Sequence, residues 1–260
     1  MIDYRFTYGD LEIFLLILMR VASFVLVAPF FSMANTPQNV RVGFSFFLSI
    51  LLYGSAPVQT LEYHTVAGYA IIVIKEVMTG ILIGYSATMV NYIANFAGQI
   101  ADMQTGLSMV TIFDPNSREQ VTISGSLYQY AFIGMMMVSG MYQYVLRGLT
   151  DSYLLIPVNG AIFDRERLLA SMAGFLAGYI TIGFRICMPL FIVTFILNVV
   201  LGIMAKVAPQ LNMVAVGMQI KVLVGLGILF LTSSLMYSAS DFIFTNMRKL
   251  MQEFALDLQG

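Results

Sequence analysis

The sequence has 260 residues, of which 59% are hydrophobic and only 10% are charged, and its mean hydropathy is +0.84. Soluble domains have about 25% charged and about 45–50% apolar residues, so this composition indicates a membrane protein or a subunit buried in a large assembly. The net charge of −1 gives no electrostatic reason to expect nucleic acid as a partner, and a single cysteine excludes an internal disulfide.

Six segments of the chain are apolar enough to be considered as membrane-spanning helices, which need about 20 mostly apolar residues. In chain order they cover residues 11–31, 42–58, 66–97, 121–146, 168–207 and 213–237. The third and the fifth are longer than one span, so each is either a span with an extension or a bent hairpin. From Ser240 onward apolar residues recur at helical spacing, which predicts an amphipathic C-terminal helix that does not span.

The order of these segments predicts an all-α, polytopic membrane-type fold of about six long, partly broken helices in hairpins. No linker or change in composition indicates a second domain, so we expect residues 1–260 to form one subunit. Within it we expect N-terminal helical hairpins over residues 1–97, a connection over residues 98–120 and C-terminal helices over residues 121–260. Asp3, Asp10 and Glu12 replace the positive region of a cleaved signal, so we expect no such signal.

Five charged residues interrupt the apolar segments, namely Arg20, Lys75, Glu76, Arg185 and Lys221. A charge at the centre of a bilayer costs at least about 2.5–3.5 kcal/mol, so such a group normally faces a partner or a water-filled path. Two interpretations are open. The charges snorkel or pair locally, as Lys75 and Glu76 would, or much of the apolar surface contacts other protein and aqueous space.

Glycines and prolines indicate where helices approach closely or bend. Glu76, Gly80 and Gly84 follow one another at four-residue spacing and therefore share one helix face. The two glycines form a GxxxG pattern, which permits close approach of helix backbones, either inside the chain or between subunits. Pro189 and Pro209 are expected to end or kink their helices, because proline lacks an N–H and crowds the preceding turn.

The connection between the third and fourth segments joins three kinds of sequence. Three polar residues, Gln99, Asp102 and Gln104, are followed by residues 106–113, which are as apolar as a membrane span, and then by the turn sequence of Asp114 and Pro115. From the residues alone, the apolar part is either a movable plug or a loop packed permanently against neighbouring helices.

Catalytic and cofactor-binding patterns are absent from the sequence. His64 is the only histidine, and Cys187 has no neighbouring base that would activate it. No glycine-rich phosphate-binding motif ending in Gly-Lys-Ser/Thr is present. We therefore expect a protein that is not an enzyme and that uses neither a cofactor nor a metal.

Five blocks of sequence, spread over essentially the whole chain, carry a family resemblance. They are Arg20 with APFFS at residues 28–32, Pro37 with Arg41, Glu76 with Gly80 and Gly84, AGQIADMQTGLSMVTIFDP at residues 97–115, and APQLN at residues 208–212 followed by Gly217. Together they resemble the FliR family, the R-type subunit of the bacterial flagellar type III export gate, which is related to the T-type subunit of virulence type III secretion systems. One departure is Gln219, near which the family would have a proline and a local helix bend.

The resemblance implies a fold like a P-type and a Q-type export-gate subunit fused in one chain. It implies a core subunit that forms, with P-type and Q-type partners, the pore through which unfolded flagellar proteins pass. The B-type switch and A-type export subunits are further expected partners, and the expected location is the bacterial inner membrane at the flagellar basal body. The alternatives are a T-type subunit of a virulence system and a stand-alone secondary transporter or channel.

The resemblance also assigns roles to individual residues. The residues that match the family's pore plug are Gly106, Leu107, Ser108, Met109, Val110, Thr111, Ile112 and Phe113. We expect the base and closing turn of the plug to be formed by Gln99, Asp102, Gln104, Asp114 and Pro115. We expect helix packing or subunit assembly to depend on Arg20, Glu76, Gly80, Gly84, Arg185, Pro209 and Lys221.

Overall fold

The structure, a computed structural model, describes residues 8–29, 31–32, 36–55, 57, 61, 63, 65–109, 111–114, 119–208, 210 and 212–259. These residues form eight α-helices and one short antiparallel ribbon. The helices are α1 (Tyr8–Val27), α2 (Gln38–Tyr53), α3 (Val66–Thr105), α4 (Ile123–Val138), α5 (Met141–Leu155), α6 (Arg165–Val207), α7 (Met213–Thr232) and α8 (Met236–Asp257). The strands are β1 (Thr111–Asp114) and β2 (Glu119–Thr122). The predicted all-α fold is confirmed.

The two longest helices, α3 and α6, run without interruption. They have 40 and 43 residues, so each is about 60–65 Å long at about 1.5 Å per residue. Each is therefore one continuous helix that is longer than a single span, and not a bent hairpin. Pro189 lies inside α6 without ending it, and α7 passes through Gln219 as one helix, as the missing proline allows.

Two of the predicted segments are broken by local backbone geometry. The fourth stops at Val138, because Gly140 has a φ of +71° and a new helix begins at Met141. The sixth stops at Thr232, where Ser233–Leu235 form a single tight turn before α8. The amphipathic C-terminal helix is present as α8, and its buried side chains are Ser240, Ile243, Phe244, Met247, Leu250, Met251, Phe254 and Ala255.

Within the described residues, three helices are long and apolar enough to cross a membrane. They are α3, α6 and residues Ala215–Thr232 of α7. With 16 residues each, α2 and α4 are too short, and α1 carries Asp10, Glu12 and Arg20 among its 20 residues. The six candidate segments of the sequence therefore reduce to three.

The chain forms two compact units, and each is assembled from separate stretches of sequence. Unit 1 comprises Met1–Met89, Gly140–Phe175 and Asn246–Gly260, and unit 2 comprises Val90–Ser139 and Leu176–Thr245. In unit 1 a buried cluster joins Leu82, Ile156, Ala161, Phe254 and Leu258. The predicted segments, residues 1–97, 98–120 and 121–260, are each continuous in sequence, whereas each compact unit combines separate stretches of the chain. That the whole chain acts as one subunit stays a prediction.

Candidate functional site

The predicted plug begins where α3 ends, at a glycine in the left-handed conformation. Gly106 has a φ of +86°, which glycine adopts without strain and which commonly terminates a helix. The chain continues through one tight turn at Leu107–Met109 into β1. Strand β1 pairs with β2 in a register that sets Thr111 opposite Thr122 and Asp114 opposite Glu119. The apolar segment is therefore one side of a two-stranded ribbon.

The base of the ribbon is closed by Asp102, which is completely buried near the end of α3. Its carboxylate accepts a hydrogen bond from the backbone N–H of Ser124 at 2.8 Å and a second from the Ser124 hydroxyl at 2.6 Å. Ser124 lies in the first turn of α4, where free N–H groups and the helix dipole favour a negative charge. Asp102 and Ser124 thus form a tether that joins the helices on either side of the ribbon.

Close backbone packing next to the tether brings α3 and α4 together. A Cβ atom added to Gly98 would lie 2.2 Å from both the Cα and the N of Gly125. The side chain of Thr122 caps α4 by accepting a hydrogen bond from the N–H of Gly125. Only glycines allow this approach, so the base of the ribbon is fixed by packing as well as by hydrogen bonds.

The other predicted residues of the base are placed differently. Gln99 is exposed, whereas Gln104 lines a cavity of about 380 Å³ together with Gly106, Met218 and Lys221. Gln104 and Lys221 therefore lie at the same cavity as Gly106, the residue that follows α3. The bond to α4 is made by Asp102 and not by either glutamine. Val110 and Pro115 of the predicted plug and turn, and Pro209, lie outside the described residues.

One apolar side chain of the described ribbon, that of Ile112, is exposed, next to the turn that contains Leu107 and Ser108. The side chain of Ile112 is 41% exposed, Leu107 is half-buried and Ser108 is exposed. An exposed β-branched apolar residue on a short ribbon is available to contact another surface.

A second predicted group, Arg20 and Glu76, forms a buried ion pair in unit 1. Both side chains are 0% exposed, and the Nε of Arg20 donates to Oε2 of Glu76 at 2.6 Å. The interpretation that Glu76 pairs with its neighbour Lys75 is wrong, because adjacent residues point to different sides of a helix and Glu76 faces α1. The pair links α1 to α3.

The same ion pair also holds the segment after α5. Arg20 donates to the carbonyl of Ile156 at 2.9 Å and to that of Pro157 at 3.4 Å, while the N–H of Asn159 donates to Oε1 of Glu76 at 2.8 Å. The guanidinium lies 4.3 Å from the ring centroid of Tyr153. All of these groups belong to one network centred on the buried ion pair, so the two charges are compensated by each other and by backbone groups.

Gly80 and Gly84 pack against α1 within the same unit. A Cβ atom at Gly80 would lie 2.3 Å from the carbonyl oxygen of Arg20 and 2.1 Å from the hydroxyl of Ser23, and one at Gly84 would lie 3.0 Å from the carbonyl oxygen of Phe24. Of the two uses of the GxxxG pattern, close packing inside the chain is the one that the structure shows. At Gly174 of α6, by contrast, an added Cβ would meet no described atom within 4 Å.

The sequence alone did not identify Ser124, Tyr153 or Asn159. Ser124 carries a detectable signal, because Thr-Ile-Ser before an apolar run is typical of a helix start. The ribbon is also foreshadowed by β-branched residues on both sides of a turn, at residues 110–112 and 121–123. Tyr153 and Asn159 reach the ion pair only through the tertiary fold. Among the described residues, no group of three His, Cys, Asp or Glu could hold a metal ion.

The fold defines a polytopic, helical membrane-type protein whose candidate site is an apolar ribbon tethered between two helices. The family described as Bacterial export proteins, family 1, matches residues 11–247. The chain therefore belongs to this family, the FliR family whose blocks it shares.

Relatives from several bacteria, among them the following three, bear the name Flagellar biosynthetic protein FliR. The protein of Bacillus subtilis (strain 168) is 28% identical over 86% of this chain and 87% of its own length. The protein of Aquifex aeolicus (strain VF5) is 25% identical over 90% of both chains. The protein of Escherichia coli (strain K12) is 22% identical over 93% of this chain and 92% of its own length. The similarity thus extends over nearly the full length of each relative.

Proposed function

We propose that the chain is a core subunit of the flagellar protein export gate, in which P-type and Q-type partners complete a pore for unfolded flagellar proteins. FliR-family membership makes it a component of the flagellar export apparatus, together with other subunits, and three helices able to cross a membrane agree with a membrane location. We place it in the bacterial inner membrane at the basal body, next to the B-type and A-type export subunits. Its role is transport without catalysis.

Residues 106–113 are the plug of this pore in our proposal. The observation that carries it is an apolar ribbon with a fixed base: Asp102 and Ser124 tether the two helices that flank it, and Ile112 is exposed on it. An apolar seal excludes small ions because they lose hydration water there and gain no polar contact in return. A polypeptide can displace such side chains, since no hydrogen bond to them has to be broken.

The tether explains how such a plug could return to the closed position. The backbone at Gly106 is free to change conformation because glycine populates both signs of φ. The bonds between Asp102 and Ser124 keep both flanking helix ends in place while the ribbon is displaced. A displaced ribbon would therefore remain next to the pore and would close it again once the substrate has passed.

The two alternatives, a subunit of a virulence secretion system and a stand-alone transporter, have less support. The three relatives described above are named for flagellar biosynthesis, which favours a flagellar over a virulence system. A stand-alone transporter would need polar groups that converge on an accessible site within the membrane. Arg20 and Glu76 do not provide one, because both are fully buried and are bonded to each other and to the backbone.

The plug is tested by replacing residues 106–113 with a Gly-Ser sequence of equal length. We expect the cells to leak small ions while flagellin export continues, because the pore remains and its seal is lost. The measurements are potassium efflux and secreted flagellin. A matched control replaces exposed apolar residues outside the ribbon, Val138→Ser with Leu154→Ser, whose side chains are 92% and 70% exposed. A tight membrane in the ribbon variant would overturn the proposed plug.

A further inference from the structure

One cavity of unit 2 has an apolar wall and a single arginine side chain, which forms no ion pair with any Asp or Glu of the described residues. The cavity has a volume of about 330 Å³ and is lined by residues of α4, α6 and α8 and by Thr232 at the end of α7. Arg185 of α6 is the only charged residue of its described lining. The guanidinium stacks on Phe242 at 4.7 Å from the ring centroid.

The donors of Arg185 are not used by a carboxylate of the described chain. No Asp or Glu of the described residues lies within ion-pair distance of its guanidinium. The acidic residue of α8 closest in sequence to Phe242 is Asp241, which lines a separate cavity with Gly134 and Tyr237. Guanidinium groups hold phosphates by two parallel hydrogen bonds, so this cavity offers the geometry of an anion site.

The position of Arg185 along α6 indicates where this anion site lies. Residues 186–205 are 20 consecutive residues without a charge, and Arg185 and Lys206 flank them. A helix of that length rises by about 30 Å, the thickness of the hydrocarbon core. This part of α6 would therefore cross the bilayer with Arg185 at one interface, at the depth of the lipid phosphates.

The end of a second span-capable helix lies at the same cavity. The candidate span Ala215–Thr232 of α7 ends with Thr232, which lines the cavity beside Arg185. The aromatic side chains of Tyr128, Phe132 and Phe242 also line the cavity, and tyrosine is enriched at membrane interfaces. The end of the α7 span and the aromatic lining thus agree with an interfacial location of Arg185.

We propose that this cavity binds an anionic phospholipid. Its phosphate lies on the guanidinium of Arg185, and an acyl chain follows the apolar wall formed by Ile182, Ile186 and Pro189. Pro189 has no N–H, so the carbonyl of Arg185 lacks its helical donor and can accept from a hydroxyl of a glycerol headgroup. The hydroxyl of Ser238 also lines the cavity and can donate to the phosphate.

The proposal is tested on the full-length chain, purified with its co-expressed partners in detergent. Native mass spectrometry measures the binding of dioleoylphosphatidylglycerol, with dioleoylphosphatidylcholine as the zwitterionic comparison. We expect phosphatidylglycerol to bind more tightly and Arg185→Gln to weaken its binding about tenfold, the effect of losing one charge-assisted contact. The matched control is Arg165→Gln, which removes an exposed arginine at the first residue of α6 and should leave binding unchanged.

Two further variants keep the test decisive if Arg185→Gln does not fold. Arg185→Lys retains the positive charge but loses the two parallel donors of the guanidinium, so it should weaken binding less than Arg185→Gln does. Ser238→Ala, at an exposed position, should weaken it about two- to threefold. Equal binding of both lipids, an effect of Arg165→Gln as large as that of Arg185→Gln, or displacement by millimolar inorganic phosphate would overturn the proposal. So would loss of partner subunits with unchanged lipid binding, because a partner carboxylate would then occupy the cavity.

Discussion

The carboxylates of Glu76 and Asp102 belong to the same helix, are both completely buried and both accept a backbone N–H from a distant segment. Glu76 is neutralised by the guanidinium of Arg20, which also binds two backbone carbonyls. Asp102 has Ser124 as its hydrogen-bond partner and relies on the first turn of α4. The first carboxylate therefore joins three segments into a core, whereas the second closes one junction.

The same helix, α3, therefore holds one carboxylate in an ion pair and another by hydrogen bonds alone. A buried ion pair that loses one member leaves an uncompensated charge, so that region has to stay intact. A carboxylate held by two hydrogen bonds can lose one of them and keep the other. We therefore expect a larger loss of stability from a substitution of Glu76 than from one that weakens a single bond of Asp102, and the variants can be ranked accordingly.

The largest effect is expected for Glu76→Ala. It leaves Arg20 buried without its anion, which should lower the free energy of unfolding by about 3–5 kcal/mol. Thermal unfolding in detergent measures the loss, and Lys75→Ala, at the adjacent residue without the ion pair, should change stability by at most about 0.5 kcal/mol. Equal effects of the two variants would contradict the assigned pairing.

The next largest loss of stability is expected for Gly80→Ala. The new Cβ would collide with the carbonyl oxygen of Arg20 at 2.3 Å, and such overpacking costs about 1–3 kcal/mol. Gly174→Ala is the control, because its site is open and alanine favours a helix interior by up to about 1 kcal/mol. Opposite shifts in the unfolding temperature are the expected outcome; a Gly80 variant as stable as the parent would refute close packing of α1 on α3.

A smaller effect is expected for Asp102→Asn. The amide keeps the shape of the side chain but loses the charge, so the tether should weaken by about 1–2 kcal/mol. We expect a modest ion leak in cells with little change in the amount of protein, because the core around Glu76 is untouched. Gln99→Ala, at an exposed neighbour in the same helix, is the comparison and should not leak. A leak of equal size in both variants would show that it does not arise from the tether.

The smallest effect is expected for Ser124→Ala. It removes the hydroxyl bond to Asp102 and leaves the backbone N–H bond in place, so the loss should be about 1 kcal/mol. Unfolding in detergent should distinguish it from Asp102→Asn, which affects both bonds. If Ser124→Ala proves as damaging as Glu76→Ala, the contrast between the two carboxylates does not hold.

The sequence predicted those parts of the molecule that depend on local pattern. Helix type and the amphipathic C-terminal helix follow from periodicity. The third segment was predicted to end at residue 97, whereas α3 continues to Thr105 and ends only at Gly106. The pairing of Arg20 with Glu76 did not follow, because 56 residues separate them and the adjacent Lys75 offered a simpler partner. The ribbon was missed because four-residue strands next to long apolar helices give a weak signal.

The tether between Asp102 and Ser124 also makes the intervening ribbon an exchangeable part. Its two ends are fixed by groups outside it, so the ribbon's length is not needed to hold α3 and α4 together. Doubling the length of a flexible loop between fixed ends costs only about 0.6 kcal/mol. Ribbons of different length and bulk can therefore be grafted between the same two residues, so the size of the proposed plug can be changed without moving the ends of α3 and α4.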